Sequence, residues 1–163
     1  MPVAETVHLL RLIDEGYSKP AWHGPNLRGS VRGLSARDAA WRPAAGRHNI
    51  WEIVVHAAYW KYAVRCRLLG EKRDRFALSG RNWFVRSGSL GEKAWRANLK
   101  LLDEEHKKLR EVVARFAPSA LGRPAPGHRG TASAQIAGIA FHDVYHAGQI
   151  QLLRRLHQAR SRS

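Results

Sequence analysis

Apolar side chains recur along this chain at intervals of three and four, the spacing of helices with one buried face. Four long helical segments follow from it. The first runs from about Ala4 to Tyr17, with Val7, Leu10 and Ile13 on one face. Pro20 and Gly24-Pro25 interrupt it, and helix is expected to resume from Asn26 to Leu34. Ser35 with Asp38 three positions on reads as a capping box opening a short extra turn. The second helix is bounded most sharply. Asn49 is a good N-cap, Glu52 can reach back to it, and the run Trp51–Leu69 stops at Gly70, a suitable C′ residue. The third spans about Gly91–Phe116, with Trp95, Leu99, Leu102, His106, Leu109 and Val113 in register. The fourth starts near Thr131 or Ser133 and reaches about His157, leaving a frayed tail over Arg160–Ser163. No strand-like alternation, internal repeat or low-complexity segment interrupts this pattern.

Between the second and third helices lies a long polar stretch, Glu71 to Ser89. Connections of this length inside a compact domain serve as crossovers or carry function. Trp83 and Phe84 within it need something to pack against, so the stretch is expected to lie over the bundle. The reading is an all-α, four-helix bundle in a single domain covering residues 1–163, with a long crossover loop between helices two and three.

The histidines change the picture. Ile53, His56, Trp60 and Ala63 follow one another along the core seam of the second helix, which turns His56 inward. On the fourth helix Ile139, His142, His146, Gln149, Leu153 and Leu156 share a face, so His142 and His146 stack one turn apart on the buried side. Burying three imidazoles is costly unless each has a partner. A shared divalent ion satisfies all three, and a three-nitrogen site leaves open coordination positions, the pattern of catalytic rather than structural centres. A lone core histidine is more often hydrogen-bonded than ligating; the i, i+4 pair with a third on a facing seam carries the metal reading. His106, on the apolar face of the third helix, reads as a core residue before a fourth ligand. Gln149, one turn beyond His146, is placed to hydrogen-bond a metal-bound water or merely to be a polar residue at the bundle end. Asp143 is a candidate acceptor for a ligand N–H, but it is turned about 100° from His142 and is expected to face solvent instead.

The single cysteine, Cys66, rules out an internal disulfide and a thiolate cluster, and makes a reducing cytoplasm the expected compartment. No signal peptide and no membrane span is read. The formal net charge of +15 raises nucleic acid as a partner. The excess is spread along the chain, densest around Lys61–Arg86, and no recognition motif accompanies it. Nucleic-acid binding therefore ranks below a small-molecule substrate.

The segments Gly46-Arg47-His48-Asn49-Ile50-Trp51-Glu52-Ile53-Val54-Val55-His56 and His142-Asp143-Val144-Tyr145-His146-Ala147-Gly148-Gln149-Ile150, with Ala21-Trp22-His23-Gly24-Pro25 before them, resemble the DinB/YfiT-like superfamily of bacterial proteins. The resemblance implies an up-down-down-up bundle and a metal site of His56, His142 and His146. It implies zinc, nickel or iron as the ion, and homodimers in many relatives. Some relatives act on low-molecular-weight thiols, such as by thiol transfer, and many have no established activity. Two functions follow as expectations: a metal-dependent transferase using a small thiol, or a non-enzymatic metal-binding, stress-response bundle. Under the first, Trp60, Trp83 and Phe84 are candidate pocket residues, with Gln149 beside the ligands, and Arg81 and Arg86 are candidate anion binders.

Overall fold

The computed structural model describes residues 2–160, with side chains from residue 4 onward. Among these residues the chain forms six α-helices: α1 (Pro2–Tyr17), α2 (Leu27–Ser30), α3 (Ala36–Ala40), α4 (Ile50–Leu69), α5 (Gly91–Arg115) and α6 (Ala132–Arg160). Two 3-10 turns, Gly88–Leu90 and Pro118–Ala120, precede α5 and follow it. There is no strand among the described residues, only an isolated bridge between Pro124 and Thr131. No described helix is long and apolar enough to cross a membrane.

The four long helices are α1, α4, α5 and α6. Helix α4 packs against α5 and α6, and α1 packs against the same two. At one end Trp51, Tyr59, Trp95, Leu102 and Ile150 pack with Tyr17, Leu27 and Val31. At the other, Leu9 and Ile13 meet Val64, Leu68, Leu109, Val113, Ile136 and Ile139. Helix α4 is buried along nearly its whole surface, which is why its sequence shows so little polar face. Buried aromatics contribute the largest apolar areas, and their polar handles are satisfied. Trp51 Nε1 donates to Asn98 Oδ1 at 2.7 Å, and Trp95 Nε1 donates to the Leu34 carbonyl at 2.9 Å. Gly16 marks the closest approach of α1 to α6, since a Cβ there would stand 2.9 Å from the Ala140 carbonyl oxygen.

The start and stop signals of α4 act as the sequence indicates. Asn49 and Glu52 close a reciprocal capping box, and Gly70 takes the left-handed conformation at φ 68°. Ser35 and Asp38 form the same device on α3. Four expectations need correction. The helix expected over Asn26–Leu34 is the single turn α2, which ends at Ser30 with Val31 as its C-cap, and the chain turns again at Gly33, at φ 75°. Val7 is 60% exposed, and the inner face of α1 runs through Thr6, Leu9, Ile13 and Tyr17. Apolar residues at 7, 9, 10, 12 and 13 occupy more than half the helix circumference, so spacing alone does not choose the face. Tyr17 decides the rotation, with its ring buried and its hydroxyl bonded to Asp103 of α5. Asp143 is fully buried and pairs with Lys61, as taken up below. Helix α6 also continues past His157 to Arg160; the rest of the expected frayed tail, residues 161–163, lies outside the described residues.

Candidate metal centre

Helices α4 and α6 bring His56, His142 and His146 together. The Nε2 atoms of His56 and His146 each lie 3.1 Å from Nε2 of His142. Two nitrogens held about 2.05 Å from one ion stand about 3.3 Å apart at the tetrahedral angle and about 2.9 Å apart at a right angle. The observed separations fall between these values.

The outer nitrogens of two rings are committed. His56 Nδ1 lies 2.8 Å from the carbonyl oxygen of Asn82, which can only accept, so the ring carries its proton there. His146 Nδ1 lies 2.7 Å from Gln149 Oε1, which likewise accepts. Both rings thus present an Nε2 lone pair inward, the tautomer a metal requires. Burial pushes the His56 imidazole down to about 4 and His142 to about 3, and lowers His146, so all three are neutral at neutral pH. At most one shared proton can stand among the three inward nitrogens. The lone pairs left facing each other repel, and a cation relieves that repulsion. The donor set therefore fits a divalent ion bound by three imidazoles.

A stack of rings backs the site. Trp83 lies against His56 at 3.8 Å between centroids, and His48 lies on the other side of the same indole at 3.6 Å. Trp60 meets His56 and His142 edge-on, and its Nε1 donates to Asn82 Oδ1 at 2.8 Å. Asn82 holds two site residues at once, through its carbonyl and its side chain. It does so from a left-handed backbone at φ 64°, the only non-glycine residue there among those described. Helical spacing gives Asn82 no mark in the sequence. The available signal is an Asn two residues after Gly80 in a turn-rich segment, since Asn tolerates that conformation better than most residues.

Phe84 is buried among Tyr59 and Phe76 and seals the core beneath the connecting segment. Arg81 is exposed. The backbone of Arg86 is tied down at both ends, its amide donating to Glu52 and its carbonyl accepting from Asn49 Nδ2. His106 stands apart from the three ligating candidates, stacked at 3.7 Å on Tyr17. Cys66 is buried as a free thiol.

Beside the histidines opens a cleft of about 490 Å³. Trp83 and Gln149, which touch His56 and His146, are among its lining residues, and the three histidines are not. Ile53, Leu153 and Leu156 give apolar walls, and Arg47 and His48 line it as well. Arg47 is the arginine of this cleft; Arg81 and Arg86 are not among its lining residues.

An all-helical protein with three inward-facing imidazole nitrogens beside an open cleft is a candidate metal-binding helical protein. The chain belongs to the DinB superfamily, whose family model matches residues 21–150. No curated protein and no solved structure matches the chain.

Proposed function

We propose that this protein is a single-domain, up-down-down-up four-helix bundle that holds one divalent ion, zinc, nickel or iron, through Nε2 of His56, His142 and His146. The observation that carries this reading is the meeting of three neutral Nε2 atoms whose outer nitrogens are, for His56 and His146, fixed by Asn82 and Gln149. The up-down-down-up course is supported by the residues that share each end of the core. The N-terminal halves of α4 and α5 meet the C-terminal ends of α1 and α6. The segment between Gly70 and Ser87 is then the crossover that lets α4 and α5 run parallel.

We further propose that the centre serves a metal-dependent enzyme acting on a small molecule with a low-molecular-weight thiol, in the manner of a thiol transferase. The cleft beside the histidines supports a small-molecule role over a purely metal-storing one. A bound divalent ion supplies positive charge that lowers the pKa of a thiol or water at its open positions. The chain's own residues supply the rest. Asn82 and Gln149 hold the imidazoles in the ligating tautomer. Trp83 and Trp60 exclude water from one side of the site. Arg47 in the cleft lining favours a substrate with an anionic end, and Ile53, Leu153 and Leu156 favour an apolar body. Arg81 and Arg86 flank Trp83 in sequence and add to the positive potential that draws such a substrate in.

The test is elemental analysis of protein purified without metal-affinity resin, then of protein dialysed against each metal in turn. One ion per chain is expected. A wild-type protein that retains none of the three metals overturns the reading.

A further inference from the structure

His48 stands immediately before Asn49, the N-cap of α4, and outside the three-histidine group. Its Nδ1 lies 3.0 Å from Glu52 Oε2, one turn into the helix. That carboxylate is buried and fixed. Arg42 donates to it through both terminal nitrogens, and the amides of Asn49 and Arg86 donate as well. These guanidinium and amide donors match the roughly four lone-pair positions of a carboxylate, so Glu52 is satisfied without His48. The bond therefore serves the histidine. An ionised carboxylate only accepts, so His48 carries its proton on Nδ1 and keeps a lone pair on Nε2. No described residue bonds to that Nε2. The ring is held too, lying flat on Trp83 at 3.6 Å and 5°, with His56 on the opposite face of the indole. The side chain is 46% exposed, and it lines the cleft together with Trp83 and Gln149. An imidazole set in one tautomer by a carboxylate, pinned by a stack and open to a cleft through Nε2 has the geometry of a general acid–base group.

We infer that His48 is the acid–base residue of this cleft, taking the proton of a small thiol on Nε2 and returning it to the leaving group of the electrophile. The inference rests on the thiol-transfer reading above. The S–H bond breaks with its electron pair left on sulfur, and the Nε2 lone pair forms the new N–H bond. The sulfur then bonds to the electrophile, whose leaving group departs with its own electron pair and takes the proton back from Nε2. Glu52 holds no proton at either stage. It compensates the imidazolium across the Nδ1–H bond, and the bonds from Arg42 keep the carboxylate ionised. The three ligand candidates have no such nitrogen to offer. Their Nε2 atoms face one another, His56 and His146 are bonded through Nδ1, and His142 Nδ1 is buried. Trp83 thus divides two roles, with an imidazole for the metal on one face and an imidazole for the proton on the other. Arg47, the residue before His48, gives the thiol's anionic end a partner in the same cleft.

Long-range proton–nitrogen NMR of the metal-free full chain, labelled at histidine, reads the tautomer at about pH 8, where an ordinary imidazole is neutral. His48 is expected to show Nδ1–H and a bare Nε2. An Nε2–H tautomer overturns the inference whatever the metal and thiol do. Calorimetry then counts the protons released when the zinc-loaded protein binds mercaptoethanesulfonate, a thiol with an anionic end, in buffers of different ionisation enthalpy. Wild type is expected to release close to none, because His48 keeps the thiol proton. His48→Gln retains a donor to Glu52, and His48→Phe retains the stack on Trp83. Both lose the base, and each is expected to release about one proton at unchanged zinc content. Equal release by all three proteins, or a change in only one variant, overturns the inference and leaves the thiol reading standing. A wild type that holds zinc but binds no thiol overturns the thiol reading and this inference with it.

Discussion

The ammonium of Lys61 on α4 and the carboxylate of Asp143 on α6 form an ion pair with no solvent exposure on either side. Asp143 adjoins His142 in sequence, and Lys61 lies just over one turn beyond His56. The pair therefore ties together the two helices that supply all three histidines. Burial lowers the Lys61 ammonium and raises the Asp143 carboxyl, while their mutual attraction opposes both shifts. The Lys61 ammonium also lies 4.9 Å from the centroid of Tyr17, which adds a cation–π contact.

Breaking such a pair leaves a buried charge uncompensated, whereas replacing both members with apolar groups does not. Lys61→Met and Asp143→Leu are each expected to cost about 3–5 kcal/mol in denaturant unfolding, and the double variant much less than their sum. Additive losses would show that the two charges do not interact.

The single variants His56→Ala, His142→Ala and His146→Ala are expected to lose stoichiometric metal and to keep their helical circular dichroism. The core described above does not pass through the ion, unlike that of a zinc finger. Gln149→Leu should keep the three ligands and weaken metal binding about 10- to 100-fold, since the outer partner of a ligating histidine fixes its tautomer. Equal metal affinity in Gln149→Leu and wild type would remove that role. Loss of helix on chelation would mark the site as structural.

Asn82 allows its two duties to be separated. Glycine keeps the left-handed backbone that carries the carbonyl to His56 and loses only the bond to Trp60. Alanine loses that bond and also strains the backbone, by about 1–2 kcal/mol. Metal affinity is expected to fall in the order Asn, Gly, Ala, with a wider gap at the second step. Equilibrium metal titration with a competing chelator measures it. A glycine variant as impaired as alanine would place the whole effect in the side chain.

The parts of this protein legible in its sequence are those set by local chemistry. The Asn49–Glu52 capping box, Gly70, and the inward turn of His56, His142 and His146 each depend on residues within a few positions of one another. What escaped was set across helices. Asp143 reads as solvent-facing because helical geometry turns it about 100° from His142, and only Lys61 on another helix makes its burial tolerable. Lys61 in turn reads as part of a basic stretch, although it is the most deeply buried cation of α4. The face of α1 was ambiguous for the same reason, being fixed by the Tyr17–Asp103 bond to α5. Asn82 is invisible to helical spacing because its role depends on a backbone conformation.

Acid should destabilise the protein in two stages. His106 is buried against Tyr17, and burial, reinforced by Lys61 and Arg110, pushes its imidazole down to about 2 from an ordinary 6.5. Below pH 6.5 the unfolded chain takes up a proton that the folded one refuses, so stability present above 6.5 is lost as pH falls. Glu52 acts lower. Burial alone would raise its carboxyl, but bonds from Arg42, His48 and the Arg86 amide outweigh this and hold it at about 2 against an ordinary 4.5. Its contribution is present above 4.5 and disappears as pH falls from there toward 2. One proton is worth about 1.4 kcal/mol per pH unit. Between pH 6.5 and 5, His106→Phe should therefore lose up to about 2 kcal/mol less than wild type. His56 and His142 titrate alike in both proteins and cancel in the comparison. Glu52→Gln should be less stable than wild type at pH 6, with the difference shrinking as pH drops below 4.5. Urea unfolding of metal-free protein from pH 7 to 3 tests both. Parallel stability curves for His106→Phe and wild type would show that His106 takes up its proton in the folded state.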